Sequence, residues 1–266
     1  MYIIGELING MYRNVREALA ARDASVIKAL ARKQVEAGAD ALDINCGPLS
    51  KDPAQDMRWL VETIQSEVAV PLCLDSTKQT VITEGLKACR NKAIINSTTA
   101  DTDKLDVYLA MALQYHASLI ALTVDKKGVP QDKERRLELA AFILERAAGA
   151  GLPADEIYLD PVLMPINVAQ NQLEDILRVI GDFKLLTTPP AKSVVGLSNI
   201  SQGSRNRSII NRTFLVMAQA LGLEAAILDP LDQELMQSLI TGALILNKTI
   251  YCDSYIEAYL KSKSRS

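Results

Sequence analysis

Histidine and tryptophan are nearly absent from this chain of 266 residues, since each occurs once and aromatic residues make up only 5%. The one histidine, His116, stands near the C-terminal end of a predicted helix, DKLDVYLAMALQYHA (103–117). Without a second histidine, neither a binuclear metal hydrolase nor a Ser-His-Asp triad can be assembled. We expect no metal site, although carboxylates alone are able to bind Mg²⁺.

Cysteine is scarce as well, and the four cysteines lack the CxxC spacing that indicates a zinc cluster. Scattered cysteines in a chain of this length are typical of reduced thiols in a cytoplasm. No apolar run approaches the roughly 18 residues that span a membrane, and the N-terminus lacks the pattern of a signal peptide. We therefore expect a soluble, cytoplasmic protein.

The chain has no excess of positive charge, because 29 Lys and Arg stand against 32 Asp and Glu. Nucleic-acid-binding proteins usually carry a basic surface, so this balance argues against that class. Hydrophobic residues make up 48% and charged residues 23% of the chain, which is typical of an ordered globular protein.

Eight short apolar runs, each ending in a polar residue, recur along the chain. Continuous apolar runs of this length are typical of strands buried on both faces, as in a parallel sheet. The predicted strands are YIIGELIN (2–9), ALDINCG (41–47), PLCLDS (71–76), KAIINST (92–98), SLIALTVD (118–125), IYLDP (157–161), SVVGLSN (193–199) and AAILDP (225–230).

The segments between these runs carry the signals of helices. An N-cap aspartate followed by proline begins the helix predicted over 52–68. Glycine ends the helices predicted over 132–151 and 205–222, and apolar residues at helical spacing predict another over 232–247. Strands and helices therefore alternate, which indicates an α/β protein.

The repeat length points to one fold class. From Asn9 to Asp229, the polar ends of the first and last runs are 220 residues apart, giving seven steps of about 31 residues, the size of a βαβ unit. Eight such units predict a single-domain (β/α)8 TIM barrel. A doubly wound open sheet is the alternative, but GELING (5–10) lacks its glycine-rich fingerprint. We assign 1–258 to the barrel and 259–266 to a C-terminal tail.

Polar residues at the strand ends are the candidate functional residues, because TIM-barrel enzymes react at the C-terminal end of the barrel. Asp, Asn and Ser also cap helices and close turns, and this alternative stays open for any single position. Asp75, Asn96, Asp160 and Asn199 each end an apolar run, so for these four together we favour ligand binding. The full set is Glu6, Asn9, Asp43, Asn45, Asp75, Ser76, Asn96, Ser97, Thr123, Asp125, Asp160, Ser198, Asn199 and Asp229.

Carboxylates and amides in this arrangement suit a neutral heterocycle rich in hydrogen-bonding groups, such as a pterin. Its pyrimidine edge presents an amino group beside a ring N–H, and one ionised carboxylate, Asp160 or Asp75, can accept from both. Its carbonyl and ring nitrogens need donors and acceptors, which the amides of Asn96 and Asn199 supply. The strand ends are thus compatible with a pterin site.

Motifs spread over nearly the whole chain resemble those of the methyltetrahydrofolate:corrinoid protein methyltransferases. These enzymes are pterin-binding (β/α)8 barrels, related to dihydropteroate synthase and to the folate domain of cobalamin-dependent methionine synthase. The resemblance runs from residue 1 to about residue 258. The motifs are GELING (5–10), LDINCGP (42–48), CLDST (73–77), INST (95–98), DPVLMPINVAQ (160–170), GLSNISQ (196–202), NRTFLVMA (211–218) and YCDS (251–254).

The resemblance implies a role for several residues. Asp75, Asn96 and Asp160 would hold the pterin ring, and Asn199 would act catalytically by hydrogen-bonding N5, the nitrogen that carries or receives the methyl group. Arg207 matches a family arginine near the site, with a structural role in the first turn of a helix as its alternative. The residues implied around the pterin are Asp75, Asn96, Asp160, Gly196, Ser198, Asn199, Gln202 and Arg207.

The resemblance also implies that the second reactant is the cobalt of a corrinoid. The chain has no cobalamin-attachment signature, Asp-x-His-x-x-Gly, so we expect a separate corrinoid protein to bring cobalamin to the barrel mouth. The substrate is then tetrahydrofolate or 5-methyltetrahydrofolate. Two directions remain open: methylation of a corrinoid protein in acetyl-CoA synthesis, and methylation of tetrahydrofolate in an anaerobic demethylase system.

Two other functions stay open as alternatives. The first is a folate-binding subunit without catalytic activity. The second is another pterin-binding enzyme such as a dihydropteroate synthase, although its paired lysine and arginine around strands seven and eight are missing, where GLSNISQ stands instead. The family forms homodimers through barrel helices, so we expect a homodimer, and the apolar helix over 232–247 is compatible with one.

Overall fold

A closed barrel of eight parallel strands, arranged in chain order, is the centre of the computed structural model, which describes residues 1–263. Each strand pairs with its neighbours in sequence, and β1 closes the ring by pairing with β8. The predicted (β/α)8 barrel is confirmed. The strands are β1 (Tyr2–Asn9), β2 (Ala41–Asn45), β3 (Leu72–Asp75), β4 (Ile94–Thr99), β5 (Ser118–Leu122), β6 (Ile157–Asp160), β7 (Lys192–Gly196) and β8 (Ala225–Leu228).

The connections between strands are helical and pack around the barrel. Both α1 and α2 lie between β1 and β2, and α7 and α8 lie between β6 and β7. None of the helices within residues 1–263 is long and apolar enough to cross a membrane. The helices are α1 (Arg13–Ala21), α2 (Ala24–Glu36), α3 (Pro53–Gln65), α4 (Gln79–Ala88), α5 (Thr102–Gln114), α6 (Lys133–Ala150), α7 (Ile166–Ala169), α8 (Leu173–Phe183), α9 (Arg207–Ala220), α10 (Gln233–Ile245) and α11 (Tyr255–Lys263).

Local capping fixes where the predicted helices begin and end. The Asp52 side chain accepts a hydrogen bond from the backbone N–H of Gln55 at 3.2 Å, and Pro53 is the first residue of α3. Asp132 caps α6 in the same way, and Gly151 ends it with a left-handed φ of 88°. The N-cap signals are local, so the sequence alone placed these helix starts, whereas either Gly149 or Gly151 could end α6 and the structure shows Gly151.

Two apolar layers hold the barrel together. One lies between the strands and the surrounding helices, and the other fills the barrel interior. The interior layer fills the barrel on the N-terminal side of the polar strand ends, so those ends lie towards the C-terminal mouth. It consists of Ile4, Ala41, Cys73, Ile94, Ile120, Tyr158, Val194 and Ala225.

One predicted detail is wrong at a helix end. His116 lies in a turn after α5, with a φ of 51°, and not inside the helix. The Ala117 N–H bonds the Ala112 carbonyl at 2.9 Å, so the chain turns sharply here to enter β5. At the C-terminus, α11 runs through residue 263, so 259–263 are helical and no element ends at 258; the other predicted tail residues, 264–266, lie outside the described residues.

Candidate functional site

Carboxylate and amide side chains at the ends of β2, β3 and β4 form one hydrogen-bonded group at the barrel mouth. The Asn96 amide nitrogen donates to Oδ1 of Asp43 at 3.0 Å, and the Asn45 amide nitrogen donates to Oδ2 of Asp75 at 2.7 Å. Asp75 and Asn96 are partners in the register of β3 and β4. The structure thus brings two of the predicted site residues together and adds Asp43 and Asn45 from the wider polar set.

The two carboxyl groups of this cluster resist ionising together. Burial raises the pKa of Asp43 well above its usual range, and the neighbouring Asp75 carboxylate raises it further. Burial also raises the pKa of Asp75, although the hydrogen bond from Asn45 lowers it. Like charges that share a poorly solvated site hold a proton between them. The cluster therefore carries less negative charge than its two carboxyl groups suggest.

Asp160 is the last residue of β6, and it is buried. Its Oδ1 accepts a hydrogen bond of 2.7 Å from the N–H of Val162, whose φ of 63° turns the chain sharply after the strand. The Thr123 hydroxyl donates to the Asp160 backbone carbonyl at 3.0 Å. Burial raises the pKa of Asp160 to about 7. No donor within residues 1–263 bonds Oδ2, and Oδ1 has a second lone pair beside the Val162 bond, so both oxygens can accept from a ligand.

The chain leaves β7 through a 3₁₀ turn, Leu197–Asn199, that leaves the Asn199 side chain exposed. A Cβ at Gly196 would stand 3.0 Å from the Asn199 amide nitrogen, so glycine gives this amide room against the strand end. Ser198 donates a hydrogen bond of 2.6 Å to Glu6 of β1, whose pKa burial raises. The Asn199 amide itself bonds no other side chain in the described part of the chain, so it is available to a ligand.

Arg207 and Gln202 lie around the same turn. Arg207 is the first residue of α9, and its guanidinium reaches back to the Ser201 hydroxyl at 3.1 Å and to the Ser198 carbonyl at 3.3 Å. Arg207 thus has the structural role in the first turn of a helix, and it also lies beside the candidate site, because it holds the turn that carries Asn199. Gln202 is exposed and donates its backbone N–H to the Asn199 carbonyl at 3.2 Å.

Three of the polar strand ends close turns, as the alternative interpretation held. Asn9, Asp125 and Asp229 each accept, through a side-chain oxygen, a hydrogen bond from the backbone N–H two residues further along. These bonds measure 2.9, 2.8 and 2.8 Å. Asn45, Ser76 and Asp160 make the same kind of bond, so a turn of this kind does not by itself exclude a ligand on the remaining oxygen. Unlike Asn45, the residues Asn9, Asp125 and Asp229 form no hydrogen bond, among residues 1–263, with Asp43, Asp75 or Asn96, and the candidate site is described without them.

A buried arginine that the sequence analysis missed holds the loop beside Asp160. Arg136 of α6 is fully buried, and its guanidinium donates to the Pro161 carbonyl at 3.0 Å and to Oε1 of Gln172 at 2.7 Å. Gln172 in turn donates to Gln131 at 2.8 Å. Because Pro161 follows Asp160 directly, Arg136 fixes the backbone that aims this carboxyl group.

A signal for Arg136 was present in the sequence. The buried positions of α6 include Arg136, Leu139, Ala140 and Ile143, which follow the spacing of a buried helix face. The adjacent Arg135 points outward and pairs with carboxylates on the surface. An arginine at a core position of an amphipathic helix is the feature that distinguishes the two. Because burying a charge is costly unless it is hydrogen-bonded, a buried guanidinium predicts hydrogen-bond acceptors within the protein.

The comparison with protein families agrees with this geometry. A profile described as "Pterin binding enzyme" matches residues 13–229, which is most of the chain. The chain belongs to the pterin-binding enzyme family. The family-level part of the resemblance drawn from the sequence is thereby confirmed. In residues 1–263, no group of three or more His, Cys, Asp or Glu side chains is arranged to hold a metal ion.

Two curated relatives of this pterin-binding enzyme differ in how much of their length it covers. A methylcorrinoid:tetrahydrofolate methyltransferase from Eubacterium limosum is 27% identical over 265 residues, 99% of this chain and 97% of that protein. Methionine synthase from Mycobacterium tuberculosis is 27% identical over 237 residues, 85% of this chain but only 20% of that protein. The first relative therefore matches end to end, and the second in one part of a much longer chain.

Solved structures with a similar fold include dihydropteroate synthases. The enzyme from Coxiella burnetii, in complex with pteroic acid, has a TM-score of 0.69 at 15% identity and covers 93% of this chain and 94% of that one. The enzyme from Thermus thermophilus has a TM-score of 0.64 at 19% identity, covering 91% and 94%. At these identities the likeness establishes the barrel of the pterin-binding enzyme and not its reaction.

Proposed function

We propose that this pterin-binding enzyme moves a methyl group between N5 of tetrahydrofolate and the cobalt of a corrinoid protein. The observation that carries the proposal is the end-to-end likeness to the Eubacterium limosum methyltransferase. A dihydropteroate synthase is less well supported, because the likeness to those enzymes extends to the fold alone. The Eubacterium limosum enzyme is named for transfer from methylcorrinoid to tetrahydrofolate, and we propose the same direction for this enzyme.

The hydrogen bonds already made at the site define how it would hold the pterin. Asn96 uses its amide nitrogen on Asp43, so its oxygen is the acceptor that remains. Asp75 has Oδ1 free of the Asn45 bond, and Asp160 has Oδ2 free of the Val162 bond. Three acceptors in one mouth suit the ring N–H and amino donors of a reduced pterin. In our proposal Asp160 accepts from the 2-amino group and the adjacent ring N–H.

Asn199 is the catalytic residue in this proposal. In the proposed direction N5 takes the methyl group and releases its proton to solvent. In the reverse direction a tertiary amine is a poor leaving group, so N5 must gain a hydrogen bond or a proton while its bond to the methyl carbon breaks. Both directions pass through the same transition state, in which the exposed Asn199 amide is free to donate to N5 and bulk solvent exchanges the proton. One preorganised donor of this kind is typically worth ~3 kcal/mol in the transition state. The corrinoid cobalt would carry the methyl group before or after the transfer, when its carrier protein is docked.

Other site residues act on the position of Asn199. Gly196 leaves room for its amide, and Ser198 ties the turn to Glu6 of β1, two strands away around the ring. Arg207 braces the same turn through the Ser198 carbonyl. Gln202 is exposed and bonds the Asn199 carbonyl through its backbone N–H. These contacts support roles in shaping the pocket rather than in bond breaking.

We further propose a cytoplasmic homodimer that docks a separate corrinoid protein at the mouth. Exposed apolar side chains on the outer helices support self-association, among them Met217 and Leu221 around the end of α9 and Ile245 at the end of α10. Sedimentation equilibrium is the test. A monomer at micromolar concentration would contradict the dimer and leave the proposed reaction unaffected.

Anaerobic methyl transfer tests the proposed reaction directly. The protein is mixed with methyltetrahydrofolate and cob(I)alamin, and in the reverse sense with methylcobalamin and tetrahydrofolate, and the cobalamin spectrum is followed. We expect spectral changes that require both the protein and the folate. Folate binding without transfer to free or protein-bound corrinoid would instead indicate a binding subunit. Formation of a pteroate from a pterin pyrophosphate and p-aminobenzoate would indicate a dihydropteroate synthase.

A further inference from the structure

A groove leads away from the candidate site over the loops that follow β2 and β3. Its inner part is a cleft of about 410 Å³ whose lining includes Asp75, which is half-buried, and Lys78, which is exposed. Its outer part is a cleft of about 320 Å³ lined by Arg16 and Lys51. Cys46 and Ser50 line both clefts, so the two clefts adjoin along one path over these loops. We call this path the tail groove, defined by Arg16, Cys46, Ser50, Lys51, Asp75 and Lys78.

The tail groove offers positive charge that the protein does not use itself. Lys51, Lys78 and Arg16 form no ion pair with any residue among 1–263. The acidic groups on its wall are already engaged. Asp52 caps α3, and Asp56 accepts from the Ser50 hydroxyl at 2.6 Å and pairs with Arg22 at 2.7 Å. The three cations therefore favour an anionic ligand in the part of the groove that leads outward from Asp75.

The barrel topology places this groove opposite the end of the pterin that Asp160 would hold. In a closed ring of eight strands in chain order, β2 lies diametrically across from β6. Asp160 ends β6, and the groove begins behind β2 at Cys46. In a pterin the C6–C7 edge lies opposite the 2-amino edge, and C6 bears the folate side chain. A pterin gripped by Asp160 therefore points its side chain towards the tail groove.

We propose that the tail groove binds the carboxylate-bearing side chain of folate and selects folates with an oligo-γ-glutamyl tail. The inference rests on the proposed function only in taking a pterin as the ligand of the barrel mouth. The p-aminobenzoyl ring would lie in the inner cleft, and successive glutamyl carboxylates would pass Lys78 and then Lys51 and Arg16. Each added glutamate contributes one more carboxylate, so affinity rises with tail length until the cations are matched.

Affinities for three ligands test this inference: 6-methyltetrahydropterin, which has no tail, and the mono- and triglutamyl forms of tetrahydrofolate. Exposed charge pairs are each worth about 0.2–1 kcal/mol, so we expect the triglutamyl form to bind about tenfold more tightly than the monoglutamyl form at low salt. The preference should shrink in 0.5 M salt, because salt screens exposed charges. The double variant Lys51→Gln/Lys78→Gln should reduce it to within about twofold while binding the tail-less pterin like the wild type.

Lys127→Gln is the matched control. Lys127 is an exposed lysine in the loop after β5, which lies across the barrel from β1, so it removes the same charge on the other side of the mouth. It should keep the triglutamyl preference. Equal binding of both folates by the wild type, or an unchanged preference in the double variant, would overturn the tail groove. The tail-less pterin separates the two proposals, since failure of the wild type to bind it would count against the proposed function itself.

Discussion

The amide nitrogen of Asn96 donates a hydrogen bond of 3.0 Å to Oδ1 of Asp43, two strands away across β3. This bond decides what Asn96 offers to a ligand, because an amide whose N–H₂ group is held in place presents its carbonyl oxygen. The amide at position 96 was expected from the sequence to serve as donor or acceptor. In the folded barrel it joins Asp75 and Asp160 as an acceptor.

Substitution of Asp43 tests this orientation. In Asp43→Ala the Asn96 amide loses its partner and is free to rotate, so we expect pterin affinity to fall about tenfold, or ~1.4 kcal/mol. Asp43→Asn keeps an oxygen that can accept the bond and should stay within about threefold of the wild type. Titration calorimetry with tetrahydrofolate measures both. Equal losses in the two variants would mean that the charge of Asp43 matters rather than its hydrogen bond.

Removal of the Asn199 amide should affect the reaction far more than the fold. We expect Asn199→Ala to lose roughly 10²–10³ in methyl-transfer rate while pterin affinity changes little, because the lost interaction belongs to the transition state. Single-turnover kinetics followed through the cobalamin spectrum is the measurement. Asn206→Ala is the control, since Asn206 is an exposed asparagine before α9 whose side chain makes no capping bond. Near-normal turnover in the Asn199 variant would refute its catalytic role.

The pKa of Asp160 predicts how pterin binding depends on pH. Burial raises this pKa to about 7, and only the ionised carboxylate can accept from two ligand donors at once. Affinity should therefore fall as the pH decreases below 7, by up to about tenfold per pH unit. Binding titrations between pH 8 and pH 5 measure the trend. Asp160→Asn should bind weakly and without this slope, and a wild-type affinity that is flat across the range would contradict the prediction.

The same carboxyl group should reduce the stability of the free protein at high pH. Between its ordinary pKa of 3.8 and its folded pKa of about 7, the folded chain keeps a proton that the unfolded chain has lost, so the free energy of unfolding falls as pH rises through this window. Asp160→Asn lacks this effect, so it should exceed the wild type by roughly 2–4 kcal/mol at pH 8 and lose the advantage towards pH 4. Urea unfolding at several pH values is the measurement, and a pH-independent difference would contradict the assignment.

Arg136 should act on the site through the backbone after Asp160. Its replacement by glutamine removes donors from the Pro161 carbonyl and from Gln172, so we expect KM for the folate to rise about tenfold with a smaller change in kcat. Arg136→Lys keeps the charge and should recover part of the loss. Arg135→Gln is the control, because its surface ion pairs are worth under about 1 kcal/mol. A loss of stability without a change in KM would show that Arg136 only supports the core.

The fold was predictable from the sequence to a large extent because its signals are local and repeated. Each predicted strand is a short apolar run ended by a polar residue. Asp52 and Asp132 each cap a helix by accepting a hydrogen bond from the backbone N–H three residues further along. The turn at His116 was not predictable in this way. At this point α5 ends and the chain turns to enter β5, and no residue type near position 116 predicts the turn.

The sequence by itself determined the number of strands and their order along the chain, since these follow from the spacing of apolar and capping residues. Not every strand end was predicted correctly, because β7 ends at Gly196 and Asn199 lies in the 3₁₀ turn that follows it. The sequence did not determine which strand ends face one another. Asn96 meets Asp43 over 53 positions, and Ser198 meets Glu6 over 192 positions. Only closure of the barrel brings these side chains within hydrogen-bonding distance, because strand register and ring order are set by packing of the whole chain. The pairs formed there decide which atoms are engaged and which are left for a ligand.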